Sequence, residues 1–337
     1  MVAVVRENER KQRAYEQQHG KVRPIISTEF AGHRVVAVGQ KLMWAKQFKV
    51  FPDFLNQYLH SALNNHWGAR QTALALADQH PIVQWRTIWT TKQQGQQPDA
   101  VGLYTERSGA GLAWYRLAYD LYLLEHHAEL QNKFLRRLRD ANAFQGARLE
   151  IVAAAAMLPA GYELAFEDDR LPGKHAEFIA TNKVSGSKLA VEAKSRHRSG
   201  VLGQKGELLT PTKADIGGLL KAAVEKDPKA PLLVFIELNM PILLSDGAPP
   251  PLLVEELRQA WKEVQDEEWP NGFPAIGVVF YNDASPWFLE EIPEGNAEVF
   301  VLAMWPEKHR HTFDERKLLP LIMTAIYQRL TIPKTFQ

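Results

Sequence analysis

The sequence predicts an α/β protein: a mainly helical region over residues 1–140, followed by a region of strands and helices over 141–337. Three observations carry this. From about residue 162, apolar runs of strand length alternate with stretches of helical periodicity, the pattern of a mixed sheet flanked by helices on both faces. Residues 112–140 run without Gly or Pro and are rich in Leu, Ala, Tyr and charge, the composition of a long helix. At 337 residues the chain exceeds the usual size of one core, so two domains or one elaborated domain are expected.

Taken in order, residues 1–110 hold short apolar runs, Trp44, Trp67, Trp85 and Trp89, and a polar break at 92–99, which predicts short helices with a few strands. Tryptophans can stack on bases in an open site, but most of these are assigned to the core and none is given a function. The long helical stretch from 112 bridges to the second part. A further helix is expected over 143–158, where Phe144, Ala147, Ile151, Ala154, Ala155 and Leu158 share one face, and Gly161 stands where it ends. YELAFED, HAEFIAT and KLAVEAK then read as strands, with the Ser-Gly chemistry of a hairpin in NKVSGSK. A helix follows with Thr210 as cap and Pro211 at its first position, and PLLVFIELN reads as a buried strand. After the prolines at 249–251 come the helix LLVEELRQAWKEVQDEE and the strands AIGVVFYN and EVFVLAMW. A last helix opens on the capping box of Thr312 and Glu315.

Composition narrows the function. The chain is 45% hydrophobic and 23% charged, and no apolar stretch approaches the length that spans a bilayer, so no membrane partner is expected. The first residues turn polar too soon for a secretory core, and a cytoplasmic location is expected. Zero cysteines exclude disulfides, thiolate catalysis and sulfur-held zinc. With a net charge of +1, nucleic-acid binding would have to come from local basic clusters.

The residues that carry chemistry lie between 177 and 194. In AVEAKS, Glu192 and Lys194 are two apart, so on a strand they leave the same face while Val191 and Ala193 point the other way. Glu177, on the preceding strand, faces the same way, bringing two carboxylates and a lysine to one end of a small sheet. Phosphodiester hydrolysis needs a nucleophilic water and stabilisation of developing negative charge. Mg²⁺ takes one or two protein carboxylates and keeps sites for water and phosphate.

With its acidic residue before the Glu192-Ala193-Lys194 strand, this pattern resembles the PD-(D/E)XK, or restriction-endonuclease-like, nuclease superfamily, over roughly residues 143–240. The resemblance implies a restriction-endonuclease-like core in the 141–337 region and a metal-dependent nuclease acting on DNA in restriction, repair or defence. It makes Glu177 and Glu192 ligands of Mg²⁺ (or Mn²⁺) and Lys194 the water-orienting lysine. Glu150, on the preceding helix, becomes a helper for metal or water. Ala176-Glu177 departs from the superfamily's Pro-Asp at the first site.

From Lys194 to Lys221 there are six Lys or Arg against Glu207 and Asp215, and Arg196, Arg198 and Lys205 in the loop after the metal strand are candidates for gripping DNA phosphates. RNA is an alternative substrate, and a homodimer or a partner protein is compatible with the sequence. A second reading keeps the fold without catalysis, as a nucleic-acid-binding or scaffold module. A glycosidase with paired carboxylates ranks last, because Lys194 has no task there. The plain alternatives are a solvated Glu-x-Lys face, and Arg148 with Glu150 as the polar edge of a helix. Asp168 and Asp169 compete for the first ligand. His126, His127, His309 and His311 are assigned to exposed polar surface, since neighbouring helical side chains point about 100° apart.

Overall fold

The computed structural model describes residues 2–94, 107–166, 175–204, 206–207, 213–312 and 315–336. Asp168, Asp169, Lys205, the Thr210–Pro211 helix start and the side chain of Glu315 lie outside the described residues.

The chain opens with α1 (Val2–His19) and a three-stranded antiparallel sheet of β1 (Ile26–Phe30), β2 (His33–Val38) and β3 (Lys41–Ala45). Helices α2 (Phe51–Ala62), α3 (Asn65–Thr72), α4 (Pro81–Gln93), α5 (Gly109–His127), α6 (Asn132–Leu138) and α7 (Phe144–Met157) follow. Next come β4 (Tyr162–Phe166), β5 (Phe178–Asn182), β6 (Lys188–Ser195), α8 (Gly217–Val224), β7 (Leu232–Glu237) and α9 (Pro251–Gln265). The chain finishes with β8 (Ala275–Asp283), β9 (Val299–Met304) and α10 (Glu315–Leu330).

β4 to β9 form one six-stranded mixed sheet in sequence order. β4, β5 and β6 are an antiparallel meander, β6, β7 and β8 are parallel, and β9 returns antiparallel. Each parallel step needs a crossover, and α8 and α9 supply them. Odd-numbered β6 residues, Val191 and Ala193, join Ile151 of α7 and Ile322 of α10 in one core; Ala190 joins Leu220 of α8 and Trp261 of α9 in the other. The sheet is therefore covered on both faces, as the alternation of strands and helices implies. β7 and β8 are buried along their whole length, as strands inside a three-layer protein must be.

The larger core runs without interruption from Val22 through α2, α5 and α7 to Ile326, across residue 140. Buried ion pairs stitch the same elements. Arg329 of α10 holds Asp120 of α5 at 2.6 Å; Arg116 of α5 reaches Asp283 and Ser285, at 3.2 and 2.9 Å, and Glu298; and Arg148 of α7 pairs with Glu237 of β7.

Three expectations are corrected. The long helix breaks after His127, where Ala128 turns extended and the chain restarts at Asn132. Among the described residues of the helix expected from Pro211, residues 213–216 are not helical and the regular helix covers Gly217–Val224. His126 is buried, not on polar surface, because it stacks on Tyr122 with ring centroids 5.2 Å apart. Among the described residues no helix is long and apolar enough to cross a membrane.

Candidate metal-binding and catalytic site

The site is built on β6 and the segment that pairs with it. Period-two alternation sends Glu192 and Lys194 to the α8 side, and Val191 and Ala193 to the α7 side. Parallel pairing sets Glu192 level with Val234 and Lys194 level with Ile236 of β7. Glu177 lies one residue before β5, and its backbone N–H donates to Val191 O at 2.9 Å, immediately beside Glu192. The hairpin between the strands is closed by Asn182, whose side-chain oxygen accepts from the N–H groups of Val184 and Ser185, both at 3.0 Å. Gly186 completes that turn in the left-handed region, which favours glycine.

Glu192 is fully buried. Lys194 Nζ stands 2.7 Å from its Oε1 and Lys226 Nζ 3.7 Å from the same atom. Oε1 is therefore occupied by ammonium charge, while Oε2 has no hydrogen-bond or ion-pair partner among the described residues. Burial raises the carboxyl's pKa, and the two ammonium groups partly offset it.

Glu150 approaches from α7 and is gripped in a fork by Arg137 of α6, with both N···O distances 2.5 Å. Arg148 and Glu150 are therefore both buried, not a polar edge of the helix. Glu177, half-buried, senses all of these charges. Its pKa is pushed up to about 8 by burial first, then by the negative charges of Glu150 and Glu192, against the pull of Lys194 and Arg137. Three carboxylates thus act on one another in a region where positive charge falls short of cancelling burial.

Among the described residues no group of three or more His, Asp or Glu converges to hold a metal ion. A cation here would rest on two carboxylates with water and phosphate completing its shell, as hard Mg²⁺ commonly does. The Oε2 atom of Glu192, without a partner among the described residues, fits such an ion.

The basic loop after β6 is more tightly tied than the sequence suggests. Arg196 reaches Asp215 through its carboxylate at 2.6 Å and its carbonyl at 2.7 Å. Arg198 donates to the carbonyls of Leu238 and Lys213, each at 3.2 Å, and burial lowers its pKa to about 10. Both side chains fasten the loop to the end of β7 and to residues 213–215. Lys205 lies outside the described residues.

Arg137 and Lys226 were not singled out by sequence. Arg137 sits 13 positions before Glu150, and no local spacing marks that pair. Lys226 follows α8 in a charged EKD run that reads as ordinary helix-end surface. Comparison with protein-family models, with curated proteins and with solved structures finds no match for this chain.

Proposed function

We propose that the chain is a divalent-cation-dependent nuclease of restriction-endonuclease-like fold that hydrolyses phosphodiester bonds of DNA. One observation carries the reading: the fully buried Glu192 carboxylate, whose Oε1 meets the Lys194 and Lys226 ammonium groups and whose Oε2 has no partner among the described residues, lies beside a Glu177 carboxyl whose ionisation is opposed by burial first and then by Glu150 and Glu192. Buried carboxylates are normally satisfied by hydrogen bonds or by a cation. The order of parts supports the same reading: Glu150 on the helix before the sheet, Glu177 before one strand, and Glu192-x-Lys194 on the next.

In this reading Glu177 and Glu192 hold Mg²⁺ (or Mn²⁺), which supplies an activated water and offsets charge on the phosphate. Lys194, on the same face as Glu192 and less buried, orients the water and balances negative charge as the bond breaks. Glu150, fixed by Arg137, supports the polarity of the site. Arg196 and Arg198 hold the loop that contacts the DNA backbone. A chain without cysteine suits the reducing cytoplasm.

A second reading, a nuclease fold that binds nucleic acid without cutting it, is favoured by the forked Arg137–Glu150 pair and the Lys194–Glu192 pair, which neutralise both carboxylates from within. One experiment separates the two. Plasmid, linear duplex, single-stranded DNA and RNA are incubated with the protein in Mg²⁺, Mn²⁺ or EDTA, beside Glu192→Ala and Lys194→Ala. Cation-dependent cleavage lost in both variants supports the nuclease. Binding without cleavage by the intact protein supports the second reading.

A further inference from the structure

The three-stranded sheet has one face in the core and one in the open. Val36 and Val38 of β2 point inward and are fully buried. The pairing register puts the alternate residues on the outer face: Ile26 beside Ala37 beside Leu42, and Val35 beside Trp44. Phe30 stands in the same outward set, opposite His33. Ile26, Phe30, Leu42 and Trp44 are 56%, 75%, 62% and 63% exposed, so large apolar and aromatic side chains on both edge strands face solvent. A contiguous apolar face of this kind marks an interaction surface.

Charge says what it fits. Residues 21–49 hold Lys21, Arg23, Arg34, Lys41, Lys46 and Lys49 against Glu29 alone, in a chain whose net charge is +1. All but Arg34 of these cations are exposed. Arg34 pairs with Glu29 and Lys41 with Glu125, which leaves the exposed Lys46 and Lys49 beyond β3 as excess positive charge at that edge of the sheet. A second copy of the chain would bring two positive rims together. The six outward apolar residues also fall well short of the roughly 20–30 per side of a stable protein interface. An anionic partner with flat apolar groups fits better. Exposed aromatics on a sheet bordered by cations are how proteins hold single-stranded nucleic acid, bases stacked on the rings and phosphates on the rim.

We propose that the outer face of β1–β3 is a binding platform for single-stranded DNA, with Trp44 and Phe30 as the stacking residues. The strands that carry the two rings, β1 and β3, lie about 10 Å apart on either side of β2, within the span of two or three unstacked nucleotides. The platform deepens the nuclease reading by naming the form of its substrate, and it rests on that reading for the choice of nucleic acid as occupant. In duplex DNA the base faces are stacked inside the helix, so this surface discriminates against it.

The test is fluorescence anisotropy of a labelled oligo(dT) and of a matched duplex, with the full chain in EDTA so that nothing is cut. Wild type, Phe30→Ala/Trp44→Ala and Lys46→Ala/Lys49→Ala are compared, with sedimentation velocity on each. The expected result is tighter binding of the single strand than of the duplex, accompanied by quenching of tryptophan emission. The aromatic pair of substitutions weakens that binding about tenfold or more, and the lysine pair makes it less sensitive to salt. Both aromatics are exposed, so an unchanged circular dichroism spectrum shows that the fold is kept. Equal single-strand affinity in wild type and the aromatic variant overturns the platform, as does self-association that only the aromatic variant loses. If the protein binds through Phe30 and Trp44 yet never cuts in Mg²⁺ or Mn²⁺, the platform stands and the nuclease falls. If the aromatic variant both binds and cuts as wild type, the platform falls and the nuclease stands.

Discussion

Arg329 Nη1 lies 2.6 Å from both carboxylate oxygens of Asp120, and neither side chain reaches water. The pair joins the last helix to α5, and Arg329 Nη2 adds a hydrogen bond to Tyr281 at 3.2 Å. Two desolvated charges are tolerable only together, and removing one strands the other. Asp120→Ala is therefore expected to cost about 3–5 kcal/mol in urea unfolding. Asp120→Leu with Arg329→Met, which removes both charges, is expected to cost clearly less. Equal losses in the two variants would show that the pairing of charge is not what matters there.

A steric prediction concerns Gly109, the first residue of α5. A Cβ at this position would stand 2.1 Å from Ser285 O and 2.3 Å from Phe288 O, both backbone atoms. The backbone N–H of Gly109 already donates to Phe288 O at 3.0 Å, so the approach is fixed on both sides. Gly109→Ala is expected to destabilise by about 3 kcal/mol, the upper part of the range for overpacking. Gly217→Ala, where a Cβ meets nothing, is expected to be near neutral. Thermal unfolding of the two variants side by side checks the contrast.

The protein is expected to lose stability as pH falls from about 6.5 toward 4. Burial lowers the pKa of His80 to about 4 and that of His127 to about 3, chiefly because the charged rings would be desolvated. Between the unfolded and folded values the unfolded chain binds more protons, so stability is fully present above about 6.5 and drains away below it. His80 Nδ1 also accepts from Ile82 N–H at the start of α4, which needs a neutral ring. Asn is a good cap that does not titrate. His80→Asn is expected to flatten part of the acid slope in melting temperature while His127 keeps the rest; an unchanged slope would contradict the assignment.

Much of this arrangement was legible in the sequence where local patterns decide it. The two faces of β6 follow from alternation alone and the β5–β6 turn from Asn182 to Gly186, while α7 ends at Met157, ahead of Pro159 and four residues before Gly161, whose φ of +86° turns the chain into β4. The rest depends on contacts between distant segments. Ala128, Glu129 and Leu130 are good helix formers, yet the chain breaks there, and α6 then presents Arg137 to Glu150. Arg148 reads as the polar side of a helix until β7 supplies Glu237. His126 is buried because Tyr122, one helical turn earlier, offers a ring to stack on within a packed core. Arg196 and Arg198 look like free phosphate grips in sequence, while their acceptors, at 213–215 and 238, appear only once the loop folds back.

The most direct test asks whether Glu192 is the seat of a divalent cation. Mn²⁺ is titrated calorimetrically into wild type, Glu192→Gln and Lys194→Met, with melting temperature followed in parallel. Wild type is expected to bind at one saturable site and to gain about 2.7 kcal/mol at a hundredfold excess over Kd. Glu192→Gln is expected to lose both effects, and Lys194→Met to keep binding. No saturable binding by wild type, or equal binding by Glu192→Gln, would contradict the account.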